Sequence, residues 1–156
     1  MLWGMRPTLY DYAGGDAAFL RLAQAHHARC LADPELNHPF SHDDQHPQHV
    51  ERLASYWAEV LGGSPSYSSL SGADQSSLVA MHSGMGDMSD LGRRFVACFM
   101  AAADDAGLPN DPEFRAALRR YMEWAVQDVA LRYPDSHTEV PAGLPMPRWG
   151  WDGEEH

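Results

Sequence analysis

Apolar residues recur along this chain at helical spacing, in blocks set apart by glycine and proline, and no block carries the strong every-second-residue alternation of a strand. Phe19, Leu20, Ala23, His27 and Cys30 share one stripe that ends near Asp33-Pro34. A second runs through His49, Leu53, Tyr56, Trp57 and Val60, opened by Pro47 and closed by Gly62-Gly63. Proline suits a first helical turn, and glycine takes the left-handed cap without a Cβ penalty. Leu91, Phe95, Phe99 and Ala102 form a third stripe, with Ser89 or Asp90 as its cap. Phe114, Leu118, Tyr121, Met122, Ala125 and Val129 form a fourth, opened by Asp111-Pro112 and stopped by Pro134. Amphipathic helices of this kind bury their stripes against one another, which predicts an all-α domain. Periodicity alone does not choose among the ways such helices stack.

The shorter segments complete the outline. A short helix is expected over residues 10–13, closed by Gly14-Gly15, with Asp16 as N-cap of the next. Residues 35–47 and 64–74 read as polar loops, and residues 75–82 as a short helix broken by Gly84 and Gly86. The expected organisation is an N-terminal arm over 1–9, one helical domain over 10–133, and a Pro/Gly-rich tail over 134–156. That tail is expected to be poorly ordered or draped on the surface through Trp149 and Trp151.

Charge narrows the partners. The chain has 22 acidic residues against 11 basic ones, all arginine, for a net charge of −11. It lacks the basic footprint that nucleic acid or an anionic membrane requires. No apolar run approaches the ~18 residues of a membrane span, and no secretion signal is visible. Cys30 and Cys98 fall in helical patterns and outside any CxxC pair, so they read as buried small hydrophobes in a reduced, cytoplasmic setting. No flavin or nicotinamide fingerprint is present, and no nucleophilic triad can be assigned.

Histidine is the residue type with chemistry to offer. His82 stands alone between a loop and a helix. His49 and Leu53, four apart, share a helix face. His27 lies on an apolar stripe and is expected to point inward, whereas its neighbour His26 is expected to face outward or sit at an interface. His38, His42, Asp43, Asp44, His46 and His49 could hold zinc or non-haem iron. They lack the paired Glu-x-x-His motifs of di-iron bundles, and a solvated polar loop is the plainer reading.

Several features then fall in order: Tyr10-Asp11, Gly14-Gly15, Phe19 and Ala32-Asp33-Pro34; Glu51-Arg52-Leu53 and Gly62-Gly63; Tyr67-Ser68 and Gly72; and His82, with Phe95 thirteen residues on. In this order and spacing they resemble the group II truncated haemoglobins over residues 9–133, with a two-residue insertion between Tyr67 and His82. The resemblance implies a two-over-two helical sandwich with haem b in the cleft between the helix pairs. It implies His82 as the proximal iron ligand, Phe40 packed on the haem face, His49 at the distal position with Leu53 one turn later, and Arg52 paired with a haem propionate. His27 and Phe95 stand where the family usually carries a tyrosine and a tryptophan. Trp57, Tyr67 and Met85 complete the candidate haem contacts. The implied function is reversible binding of oxygen, nitric oxide or carbon monoxide. His49 or His27 would act on the distal side, by hydrogen bond or as a sixth iron ligand, with His49 the candidate for the iron. Peroxidase or nitric oxide dioxygenase activity would need an external reductant. The assembly is expected to be a monomer or homodimer. Two rivals remain: a haem-free globin-like interaction domain that docks a partner through its tryptophan-bearing tail, and a non-haem metal protein using the His38–His49 cluster.

Overall fold

The computed structural model describes residues 6–36, 48–70 and 74–155, and of Leu70 the backbone alone. Helix α1 (Leu9–Ala13) opens on Thr8, whose Oγ1 accepts from Asp11 N at 3.0 Å, and closes on Gly14 at φ 119°. Helix α2 (Asp16–Ala32) follows at once. Asp16 is not its cap: Gly15 takes that position, and the Asp16 carboxylate accepts from the Tyr10 hydroxyl at 2.9 Å. Then come α3 (His49–Val60), α4 (Gln75–Met81), α5 (Ser89–Asp105) and α6 (Pro112–Val126). Asp111 caps α6 as expected, accepting from Phe114 N at 2.9 Å. At α5 the cap position falls on Met88, whose side chain makes no capping bond, rather than on Ser89 or Asp90, and the carboxylate of Asp87 just before it accepts from Ser89 N at 2.9 Å. The second expected loop contains a π-helical turn, Ser66–Leu70, fastened because Ser68 N and Oγ both donate to the buried carboxylate of Glu59. Helix α6 runs on into another π-helical turn, Gln127–Leu131.

Helix α2 packs against both α3 and α5, and α5 packs in turn against α6. The result is two layered pairs, α2/α3 and α5/α6, around a core that includes Phe19, Leu22, Trp57, Phe99, Phe114, Leu118 and Tyr121. Gripped on two sides, α2 must bury a wider arc than a single stripe. This corrects the expectation for His26. It is fully buried, edge-on to Trp57, Phe95 and Phe99 with ring centroids 5.4, 4.4 and 6.0 Å away. His27, one residue on, is only half-buried. Both cysteines are free, and burial pushes the Cys30 thiol far above its ordinary pKa. The α5–α6 crossing is close at Gly92, where an added Cβ would come 2.5 Å from Val126 Cγ1.

Beyond α6 the chain crosses back over α4 and reaches the N-terminal arm. Trp149 is buried, with ring centroids 5.9 Å from Tyr121 and 5.6 Å from Trp124. It begins a two-stranded antiparallel hairpin, β1 (Trp149–Gly150) with β2 (Gly153–Glu154), which no sequence signal announced. At the hairpin turn Trp151 Nε1 donates to Pro7 O at 2.9 Å, and the Arg6 guanidinium lies 3.8 Å from the centre of its ring.

Candidate functional site

Helix α4 brings His82 to the edge of a cleft between the helices. The Asp74 carboxylate caps it, accepting from Ser77 N at 2.7 Å. The Tyr56 hydroxyl of α3 donates to Gln75 Oε1 at 2.8 Å, and Val79 is fully buried beneath the helix. His82 is the residue at which the helix ends, and its Nδ1 lies 2.8 Å from Leu78 O. A carbonyl oxygen only accepts, so Nδ1 carries the proton and Nε2 keeps a free lone pair. Burial lowers the His82 pKa, against a smaller opposing effect of the bond to Leu78, which favours the neutral ring. The imidazole is surrounded by protein yet solvent-exposed, because one side faces an open cleft.

That cleft, about 300 Å³, lies between α3, α4, α5 and α6. Its walls are almost wholly apolar, with Leu53 and Trp57 from α3, Leu78 from α4, Phe95 from α5, and Met122 and Val126 from α6. Met81 and Met85, on either side of His82, also line it and are 62% and 53% exposed. Large apolar side chains left bare inside a concave site mark a place for an apolar occupant. His49 enters the same cleft from the first turn of α3. Its pKa is lowered, first by burial and then by the charges of His27, His82 and Arg52. His27 stands outside the lining, its ring centroid 5.7 Å from that of His49. A smaller recess of about 110 Å³ shares His49, Leu53, His82 and Phe95 with the cleft and adds Arg52 and Tyr67, whose side chains are hydrogen-bonded.

The structure thus gathers His82, His49, Leu53, Trp57, Met85 and Phe95 around one cleft, with Arg52 and Tyr67 at its edge and His27 one layer back. Phe40 lies outside the described residues, as do His38, His42, Asp43, Asp44 and His46. Sequence reasoning missed much of the lining, Tyr56, Leu78, Met122, Tyr121 and Gly92 among it. Tyr121 sits on a predicted stripe, which signals burial but not the void it borders. Its hydroxyl is buried without a hydrogen-bond partner among the described residues, and burial raises its pKa well above the ordinary value. Gly92 offers a faint signal, since a glycine inside a helix disfavours that helix unless packing requires it.

Among the described residues no three His, Cys, Asp or Glu side chains converge as a metal site. Among the described residues, therefore, the cleft offers a bare ion no set of three such donors. A neutral imidazole facing an apolar slot suits a metal that arrives with its own planar ring of donors, which is haem. Two layered helix pairs around such a slot have the architecture of a two-over-two globin.

The family model described as bacterial-like globin matches residues 8–128, and the chain belongs to that family. Membership implies a haem-binding globin. Among solved structures, the chain is similar to the haemoglobin of the thermophilic phototrophic bacterium Chloroflexus aurantiacus, at 26% identity over 80% of this chain and 98% of that one, with a TM-score of 0.65. It is similar also to a thermostable haemoglobin of the actinobacterium Thermobifida fusca, at 26% identity over 88% and 100%, with a TM-score of 0.61. The group II truncated haemoglobin of Bacillus anthracis, at 17% identity over 87% and 99%, shares the fold with a TM-score of 0.67. No curated protein matches the chain.

Proposed function

We propose that this globin binds haem b through His82 Nε2 and reversibly takes up a small diatomic ligand, such as oxygen, nitric oxide or carbon monoxide, on the side of the iron facing His49. The contact of His82 Nδ1 with Leu78 O at 2.8 Å carries the reading, because it leaves Nε2 as the basic nitrogen on a ring that borders the cleft. Haem, when bound, supplies the iron and its ligand chemistry. The protein's part is to hold the imidazole in one tautomer, cover the porphyrin with apolar walls and offer donors to the ligand. Arg52 and Tyr67, at the recess, suit a propionate. Phe95 has no donor, so hydrogen bonding to the ligand falls to His49, supported by His27. A neutral His49 is also competent to take the sixth position on iron when no ligand is present. Redox turnover of nitric oxide or peroxide would draw electrons from an external donor.

The test is the absorption spectrum of the purified protein with added haem, in ferric and ferrous states, for the wild type and His82→Ala. A sharp Soret band in the wild type that is lost or displaced in the variant supports the assignment. Absence of haem uptake by the wild type overturns it. Split visible bands in the ligand-free ferrous wild type that disappear in His49→Ala would assign the sixth position to His49.

A further inference from the structure

The helix that presents His82 has seven residues. So short a helix does not hold itself in water, and its placement depends on what fastens it. The elements it packs against most are the π-helical turn Gln127–Leu131 and the 3₁₀ turn His137–Glu139. Hydrogen bonds tie it from the same side. The Ser76 hydroxyl donates to Pro141 O at 2.8 Å and accepts from Leu144 N at 2.9 Å. Just past His82, Gly84 N donates to Tyr133 O and Gly86 N to Pro134 O, each at 2.9 Å. Gly84 has φ +77°, and a Cβ there would come 3.1 Å from His137 N, so the turn after His82 and the tail lie close against each other. All the tail residues in these bonds lie beyond the segment, 8–128, that matches the family model.

We propose that residues 133–144 form a strap that fixes the orientation of the His82 imidazole, with Ser76 as its positioning residue. Ser76 is in the first turn of α4 and His82 closes the last, so a tilt released at one end swings the ring at the other. The strap grips both ends: Ser76 before the histidine, and the backbone of Gly84 and Gly86 after it. Its effect on the haem rests on the reading of His82 as the iron ligand; its effect on α4 does not.

The experiment compares the full-length wild type, Ser76→Ala and Ser76→Thr by two readouts. Amide hydrogen exchange is followed on the purified chains, and the iron–histidine stretching band is recorded by resonance Raman spectroscopy on the haem-loaded ferrous forms. Ser76→Ala removes both bonds of the clasp, so the amides of residues 77–83 should exchange about tenfold faster or more while those of α2 and α5 keep their rates. The stretching band should move and broaden. Ser76→Thr keeps a hydroxyl and should restore both signals. Unchanged exchange at residues 77–83 in Ser76→Ala overturns the strap, whatever the haem does. Faster exchange with an unmoved iron–histidine band overturns the claim that the strap orients His82. Failure of the wild type to take up haem would fall on the function proposed above and leave the exchange result to decide the strap.

Discussion

The buried imidazole of His26 makes a quantitative prediction about acid. The ring is sealed among Trp57, Phe95 and Phe99, with Nε2 3.3 Å from Phe95 O and the Cys30 thiol nearby. Burial is the main cause that lowers its pKa to about 4, reinforced by His27 and His49 and opposed by the bond to Phe95. In the unfolded chain the same ring titrates near 6.5. Between these values the unfolded state binds a proton that the folded state refuses, so stability falls as pH falls. The contribution is intact above about pH 6.5, loses about 2 kcal/mol by about pH 5, and levels off at about 3 kcal/mol below about pH 4. His26→Leu removes the titration. It also changes the packing, so the informative quantity is the change in unfolding free energy between pH 7 and pH 5, wild type minus variant. That double difference should be about 2 kcal/mol in urea melts followed by circular dichroism. The carboxylates held low by neighbours, Asp74, Asp87, Asp90 and Asp105, titrate below this window. His49 and His82 are common to both proteins and cancel to first order. Parallel pH profiles for the two proteins would refute the argument that burial keeps His26 neutral.

Four further substitutions test other parts of the structure. Gly92→Ala forces a Cβ to 2.5 Å from Val126 Cγ1, and overpacking of this kind should cost about 1–3 kcal/mol, read as a lower urea midpoint. Trp149→Ala removes a buried indole from Tyr121 and Trp124 and should cost about 3 kcal/mol or more by the same assay; near-wild-type stability would show that the tail contributes nothing to the core. If His49 is the donor to bound ligand, His49→Ala should speed oxygen release about tenfold or more in stopped-flow measurements, with His27→Ala giving a smaller acceleration through its neighbour; unchanged rates in both would remove the distal role.

The helical blocks were legible because each carries its own period and its own punctuation, as Asp111-Pro112 shows at the start of α6. The cleft was legible in part. His82, His49 and Phe95 stand at spacings that match a known family, and Leu53 follows from His49 by one helical turn. Period alone misassigned His26 because α2 is enclosed from two sides, and the direction of the second neighbour is a tertiary fact. Tyr121 and Gly92 were missed for the same reason: a stripe announces that a residue is covered and leaves open whether its cover is another helix or a void. The caps of α2 and α5 show a finer limit, since the cap position falls one residue before Asp16 and Ser89, on Gly15 and Met88. The hairpin at residues 149–154 depends on contacts across nearly the whole chain, Trp151 with Pro7 among them, and no local window contains them.

That last contact has a mechanical consequence. Residues 6 and 7 and residue 151 lie side by side, joined by one indole hydrogen bond and one guanidinium stacked on the same ring, with Arg120 anchoring Trp151 from below through its carbonyl at 2.8 Å. A pulling force applied through residues 6 and 155 would load these contacts and the bonds of Arg6 to Glu113 and of Arg120 to Trp151 on the surface of α6, like the first teeth of a zipper, before it parted the helix pairs. The molecule should therefore yield in two stages. An early extension at low force would peel arm and hairpin from α6, and a later, larger rupture would follow when the helix pairs part.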